Sequence, residues 1–189
     1  MNAAAATQPV RSPRAPRAPV PSLPPLDALD RTHHQMLLKL AALQQLVDRL
    51  DTEGAEPAVR RSAQAICQFF DGNARQHHAD EETLVFPALV RKGDKPLIQR
   101  VLRLQQDHGW LEEDWLALAP QLHAVARGHS GVDTDALRHA VGVFTTLYHE
   151  HIALEESMIY PEARAQLAAE ASSRDQRVAS TQAGTPAGT

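Results

Sequence analysis

Two segments of the sequence place a histidine and a glutamate at a spacing that suits metal binding. Both read H-x-x-x-E-E-x-x-x-aromatic-P, at residues 77–87 and 151–161, so the second copy follows the first by 74 residues. Residues four apart lie on one face of a helix, and each copy therefore presents an imidazole beside a carboxylate. Two such pairs from two helices provide what a metal site inside a helical bundle needs.

The first segment contains two such pairs, His77 with Glu81 and His78 with Glu82. The motif alone does not choose between them. The apolar stripe of the surrounding helix passes through the first pair, and the 74-residue repeat makes the same choice of positions in the second copy. The sequence therefore predicts that His77 and Glu81 face the interior of the protein.

Apolar residues at alternating steps of three and four predict four helices around these segments. The first begins at Leu26, the second opens at Pro57, the third follows a cap at Asp94, and the fourth is capped by Asp133 or Thr134. No stretch alternates with a period of two, so no strand is predicted. Four helices with short connections predict an all-α, antiparallel up-down-up-down four-helix bundle.

The stripes also predict which residues are buried beyond the motif glutamates. In the second helix the stripe continues through Leu84 and Ala88, and in the fourth helix it continues to Met158. The third helix has the most regular stripe, from Leu97 to Val125. Pro87 lies late in the second helix, where a missing N–H is expected to kink it.

Each predicted helix places one histidine on its buried stripe, and two helices also place a glutamate there: His33, His77, Glu81, His108, His151 and Glu155. A single buried histidine is more often a hydrogen-bonded core residue than a ligand, but four histidines with two carboxylates are a different case. Buried carboxylates without a cation cost several kcal/mol each, and these stripes offer no lysine or arginine. Imidazole and carboxylate ligands suit iron, manganese or zinc, and six ligands suggest two metal ions that share the carboxylates.

Further residues close to this set have more than one interpretation. His34, His78 and His149 adjoin or nearly adjoin the candidate ligands, and each is an alternative ligand or an outer hydrogen-bonding partner of one. Tyr148 lies one turn before His151. Its hydroxyl is predicted either to point toward the metals, where it could hydrogen-bond to bound oxygen, or to belong to an ordinary core aromatic residue.

The pattern resembles the hemerythrin-like, or HHE cation-binding, family over about residues 26–166. The resemblance rests on the two H-x-x-x-E-E-x-x-x-aromatic-P segments and on the isolated histidine before each of them, His33 and His108. It implies a non-haem centre of two iron ions, bridged by two carboxylates and an oxo or hydroxo group. By analogy, His33 and His77 would hold one iron, and His108 and His151 the other. The bridging carboxylates would be those of Glu81 and Glu155.

The sequence departs from the oxygen-carrying members of that family at two positions. Those proteins have a fifth histidine one turn after the third-helix ligand, where this chain has Glu112. Glu112 either binds that iron as a carboxylate or leaves a coordination position open, and the two cases predict different reactivity. The oxygen carriers also use an aspartate five residues after the fourth-helix histidine, where this chain has Glu156. The four-residue spacing matches the broader family, which favours Glu155.

Composition limits the class of protein and of partner. The chain has 189 residues and a net charge of −4, which predicts one domain at residues 26–168 and no basic surface for nucleic acid. A Pro/Ala/Arg-rich arm at residues 1–25 and a small, polar tail at 169–189 are expected to be disordered. No apolar run is long enough to span a membrane. The single cysteine, Cys67, fits the reducing cytoplasm, and we expect a monomer or a weak homo-oligomer.

Three functions are consistent with these features. The first is binding or sensing of O2, NO or iron itself at the His/Glu site. The alternative is a di-iron enzyme acting on peroxide or NO, for which Glu112 and Tyr148 are the candidate proton donors. The third is a metal-free bundle that acts through its tails. The chain has no Glu-x-x-His for a ferritin-like site and no His-Glu-x-x-His for a zinc protease.

Overall fold

The computed structural model describes residues 26–129 and 131–183, and these ranges contain four long helices. Helix α1 is Leu26–Glu53, α2 covers residues 57–92, α3 is Lys95–Ala126, and α4 covers residues 134–183. Each helix packs against the next, and α1 also packs against α4. Because the connections are short, neighbouring helices run antiparallel, and the predicted up-down-up-down bundle is confirmed. The described ranges contain no strand.

The starts of the helices and the end of α1 lie close to where the sequence predicts them. Gly54 follows α1 with a φ of 68°, in the left-handed region that glycine adopts without strain. The carboxylates of Asp94 and Asp133 accept hydrogen bonds from backbone N–H groups three residues on, at 2.9 and 3.0 Å. These caps satisfy donors at the starts of α3 and α4 that have no partner within the helix.

Three π turns interrupt the longer helices. They are Phe69–Ala74 and Glu81–Val85 in α2 and Glu155–Ile159 in α4. The last two come directly before the aromatic-proline pair that ends each copy of the motif. A proline has no N–H to donate to the carbonyl four residues earlier, so the regular ladder is already broken there and a wider turn is tolerated. The sequence predicted a kink at Pro87, and the structure has a π turn immediately before it.

These π turns correct two of the predicted stripes. Leu84 and Ala88 are only half-buried, and the residue that follows each of them is buried instead. In α4, Met158 is 40% exposed, whereas Ile159 is fully buried. A π turn contains more residues than an α turn, so the buried face advances by one residue beyond it. The α3 helix has no π turn, and every residue of its predicted stripe is buried.

The apolar core consists of two clusters, one toward each end of the bundle. The larger cluster includes Met36, Phe70, Leu111 and Phe144, and the smaller includes Leu29, Phe86, Leu104, Ile159 and Ala163. The four buried histidines interrupt the stripes of the four helices between residues of one cluster and residues of the other. A polar layer therefore crosses the bundle between two apolar regions that exclude water from it.

The fourth helix is longer than the sequence predicts. It continues to Ala183, beyond residue 168 where the domain was expected to end. Residues 169–177 are mostly exposed, and an ion pair between Lys92 and Glu170 connects this part of α4 to the end of α2. Alanine and other good helix formers extend the helix without a core to pack against. The predictions for residues 1–25 and 184–189 lie outside the described residues.

Candidate metal centre

Four imidazoles and two carboxylates meet in the polar layer. One atom each from His33, His77, Glu81 and Glu155 lies within 4.8 Å of the other three. The same holds for one atom each from Glu81, His108, His151 and Glu155. We call His33 with His77 the first half-site, and His108 with His151 the second half-site. Both glutamates belong to both groups, so they lie between the half-sites.

Burying these two glutamates has a free-energy cost that a cation must offset. Glu81 and Glu155 are completely inaccessible to solvent, and the buried residues of the described ranges include no lysine or arginine. Several buried donor and acceptor atoms of the cluster have no hydrogen-bond partner: Glu81 Oε2, His108 Nε2, His151 Nε2 and both carboxylate oxygens of Glu155. Unpaired polar atoms of this kind are costly in a protein core. A bound cation would satisfy both their charge and their lone pairs, so the residues fit a metal.

Distances within each half-site place the imidazole Nε2 atoms against the shared carboxylates. His33 Nε2 lies 3.0 Å from His77 Nε2 and 3.0 Å from Glu155 Oε2. In the second half-site, His108 Nε2 lies 3.4 Å from Glu81 Oε2, and His151 Nε2 lies 3.2 Å from Glu155 Oε1. Ligands gathered around one metal ion have separations of this order, since each sits about 2 Å from the ion.

The second glutamate of each motif orients a histidine from the other hairpin. Glu82 Oε1 accepts a hydrogen bond from His108 Nδ1 at 2.8 Å, and Glu156 Oε1 accepts one from His33 Nδ1 at 3.1 Å. A carboxylate can only accept, so Nδ1 carries the proton and Nε2 of the neutral ring keeps its lone pair. Metal-binding histidines usually have such an outer carboxylate, which holds the ring in the binding tautomer.

Charge is unevenly distributed over the metal-free site. Burial alone lowers the pKa of His108, but the close carboxylates of Glu155 and Glu81 outweigh it and raise that pKa to about 10. Burial also lowers the pKa of His151, but the charge of Glu155 and the nearby Asp107 carboxylate outweigh it and raise that pKa to about 9. In the absence of metal, protons on His108 and His151 therefore help to balance the buried carboxylates.

The first half-site is mixed in this respect: burial lowers the pKa of His33, but the adjacent Glu155 carboxylate outweighs it and raises that pKa. Burial and the neighbouring His33 lower the pKa of His77 to about 3, so its contact with Glu81 is not an ion pair. Burial and the charge of Glu155 raise the pKa of Glu81 to about 7. Burial would raise the pKa of Glu155 too, but His151, His108 and His33 hold it well below its usual range. The two shared carboxylates are thus inequivalent before metal binds.

Two positions break the symmetry of the repeat. The motif aromatic is Tyr160 in α4, whose hydroxyl donates to Glu81 Oε1 and lies 3.2 Å from His33 Nε2. In α2 it is Phe86, which stacks on His108 with ring centroids 5.7 Å apart. The residue after the motif histidine also differs, being His78 in α2 and an isoleucine in α4. One half-site therefore has a hydroxyl beside it, and the other has an additional imidazole.

The structure does not bring Glu112 into either ligand group. Its carboxylate pairs with Arg75 at 2.9 Å and is 33% exposed. Both residues line a small cavity that also reaches His78 and Tyr148. The Tyr148 ring is buried with its centroid 5.8 Å from that of His78 and 6.4 Å from that of His151. Because α3 turns position 112 toward Arg75 of α2, its side chain lies at the edge of the bundle rather than in the polar layer.

Sequence reasoning missed the roles of three residues in this arrangement. Tyr160 was seen only as the aromatic residue of the motif, although a hydroxyl at a buried repeat position is itself a signal. Glu82 and Glu156 were the rejected members of each Glu-Glu pair. Their recurrence in both copies was the available signal, because an exposed glutamate has no reason to repeat. The alternatives His34 and His149 are exposed and lie outside the cluster.

Comparison with known proteins agrees with this geometry. A family model, the hemerythrin HHE cation binding domain, matches residues 25–163. The chain belongs to this family. As an HHE domain it is a metal-binding protein, with the His/Glu cluster in the core of its bundle. The fold and the resemblance inferred from the sequence are confirmed.

An uncharacterized protein of Haemophilus influenzae is 35% identical over 114 residues, which cover 60% of this chain. The chain spans 63% of the length of that curated relative. No solved structure matches the chain. Within the described ranges, no helix has both the length and the apolar character needed to cross a membrane.

Proposed function

We propose that this protein holds two iron ions at the cluster and uses them to bind or sense O2 or NO. His33 and His77 would hold one iron, and His108 and His151 the other. Glu81 and Glu155 would be shared between them. The observation that carries the proposal is that both carboxylates belong to both ligand groups. A single ion would leave two of the four imidazoles without a role.

The ligand chemistry favours iron among the metals considered. Mixed imidazole and carboxylate ligands suit iron, manganese and zinc, whereas thiolates favour copper(I), zinc and iron–sulfur clusters. The only cysteine of the chain, Cys67, is buried in the larger apolar cluster away from the site. Ferrous ions supply the reducing electrons and the open coordination that O2 and NO require. Manganese or zinc in their place would leave the ligand residues unchanged but would not bind O2 reversibly.

The residues around the site suit the binding of a small, uncharged molecule. The apolar clusters on both sides of the polar layer exclude bulk water. The Tyr160 hydroxyl, which donates to Glu81 in the metal-free protein, is a hydrogen-bond donor held beside the first half-site. Burial raises the pKa of Tyr160 far above its usual value, so the hydroxyl keeps its proton at any ordinary pH. A protonated donor stabilises a bound ligand that becomes partly negative.

An enzyme acting on peroxide or NO is the second candidate. The cavity lined by Arg75, His78, Glu112 and Tyr148 supports it, because turnover requires a route for protons and small molecules. It is small, with room for about one water molecule. The Tyr148 hydroxyl and the Glu112 carboxylate at this cavity would be the groups that relay protons.

One experiment separates these functions. The purified protein is loaded with ferrous iron without oxygen, analysed for metal, and exposed in turn to O2, NO and peroxide while the optical spectrum is recorded. We expect about two irons per chain and a spectral change with O2 or NO that reverses when the gas is removed. Steady consumption of peroxide or NO would favour the enzyme instead. A protein that takes up no iron would refute both and favour a metal-free role.

A further inference from the structure

We propose that His78 is a third imidazole ligand of the metal held by the second half-site. One atom each from His78, His108 and His151 lies within 4.8 Å of the other two. This group has His108 and His151 in common with the ligand group of the second half-site, but it contains neither shared glutamate. The inference rests on the proposed function, since it assigns a further ligand to one of the two metal ions.

The surroundings of His78 leave its ring nitrogen available. His78 Nε2 is buried and has no hydrogen-bond partner. The His78 ring stacks on His108, with centroids 4.1 Å apart and planes inclined by 13°, and it meets His151 edge-on at 5.5 Å. A buried nitrogen with no partner needs an explanation. Coordination provides one, because the two rings that His78 contacts are those of the second half-site.

The internal repeat shows that this histidine is an addition to the basic pattern. The 74-residue offset pairs His78 with Ile152, which is buried in the larger apolar cluster. An apolar side chain is therefore compatible with this position of the fold. Packing at position 78 therefore does not require an imidazole.

His78 also provides the additional ligand that was expected from Glu112. The Glu112 carboxylate is engaged by Arg75 and lies outside all three ligand groups. With His78, the second half-site would offer three imidazoles and the first half-site two, in addition to the shared carboxylates. The two metals would then differ in coordination, and the first half-site, beside Tyr160, would be the more open one.

Three variants test this assignment. H78I places the residue of the other repeat at this position, H78A leaves a cavity, and H34A removes an exposed histidine that adjoins His33 as His78 adjoins His77. Each protein is loaded with ferrous iron and challenged with a chelator. We expect the wild type and H34A to keep two irons. We expect H78I and H78A to release one iron faster by more than the roughly 10–100-fold that loss of an outer partner produces.

Two further measurements separate ligation from packing. Free imidazole should restore the slow release of iron in H78A, because it can occupy the cavity and coordinate, but not in H78I, where isoleucine fills the space. In the reduced wild-type protein, proton NMR should show five exchangeable, paramagnetically shifted imidazole N–H signals, and four in either variant. This count in the wild type does not depend on whether the variants fold.

The outcomes that refute this inference differ from those that refute the proposed function. If the wild type holds two irons and shows four shifted imidazole signals, His78 only lines the cavity and the inference is wrong, while the di-iron site stands. The same conclusion follows if H78I and H78A release iron as slowly as H34A. If the wild type takes up no iron, both proposals fail together.

Discussion

The two half-sites are built from the same parts but differ in their surroundings. Each has two imidazoles from adjacent helices, both shared glutamates, and an outer glutamate hydrogen-bonded to one Nδ1 atom. The first half-site is next to the Tyr160 hydroxyl, whereas the second is next to His78 and the Phe86 ring. A duplicated framework thus supplies the candidate ligands, and two substituted positions make the half-sites inequivalent. The difference suggests that the repeat provides binding and the substitutions provide reactivity.

The largest effect is expected from replacing a residue that both half-sites share. Glu155 is shared by both half-sites, so we predict that its replacement by alanine causes loss of nearly all iron from E155A. Metal content after chelator treatment measures this. E113A is the matched control, since Glu113 is an exposed glutamate. Retention of one tightly held iron in E155A would show that this carboxylate serves only one half-site.

Replacing a histidine of one half-site should have a more local effect. H77A and H151A each remove one imidazole, and we predict that each loses the iron of its own half-site, leaving at most about one per chain. The H149A variant, which removes an exposed histidine near His151, should keep both irons. If H77A and H151A both keep two irons, the ligand assignment is wrong.

Replacing the outer glutamates, Glu82 and Glu156, tests whether they support the two half-sites equally. E82A and E156A each remove the carboxylate bonded to one Nδ1 atom, and loss of such a partner typically weakens metal affinity by roughly 10–100-fold. We expect losses of similar size in the two variants, measured by competition with a chromogenic chelator. A large loss of metal affinity in one variant and none in the other would show that the two outer glutamates are not equivalent.

Tyr160 lies beside the first half-site only, so its replacement tests the contribution of that half-site. Y160F removes the hydrogen bond to the buried Glu81 while keeping the ring, so we predict a loss of about 1–3 kcal/mol in the unfolding free energy of the metal-free protein. Y148F is the matched control, because the buried Tyr148 makes no such bond to the cluster. Denaturant titration of both variants gives the comparison. Equal effects would mean that the Tyr160 bond contributes nothing specific.

The last prediction concerns pH, and its sign depends on metal. His108 and His151 have pKa values of about 10 and about 9 in the metal-free protein, against 6.5 for an unperturbed imidazole. Groups whose pKa is raised by folding add stability that is complete below pH 6.5 and is lost as pH rises toward 10. We therefore expect the Tm of the metal-free protein to fall between about pH 6.5 and pH 9.5.

The iron-loaded protein should not show that fall. Its imidazoles must be unprotonated to bind metal, so raising the pH over the same range favours the loaded form. Thermal melts of both forms across this range check the sign. A parallel decrease in the two forms would mean that His108 and His151 do not exchange protons for metal.

Much of the fold follows from local periodicity. The stripe of α3 was predicted correctly along its whole length, because an uninterrupted α-helix repeats every 3.6 residues. The stripes of α2 and α4 were correct up to Glu81 and Glu155 and then wrong by one residue. Each error begins at a π turn, which the 3.6-residue period does not anticipate. The proline at the end of each motif was the local signal for it.

The sequence by itself determined which residue types enter the polar layer. The spacing of His77 to Glu81 and of His151 to Glu155, and their repetition, are properties of one helix at a time, so they can be read from the chain. Only the tertiary structure decided the contacts across helices: Glu82 to His108, Glu156 to His33, and Tyr160 to Glu81. These pairs are 26, 123 and 79 residues apart in sequence. Their contacts depend on how the four helices are rotated against one another, and no local pattern encodes that rotation.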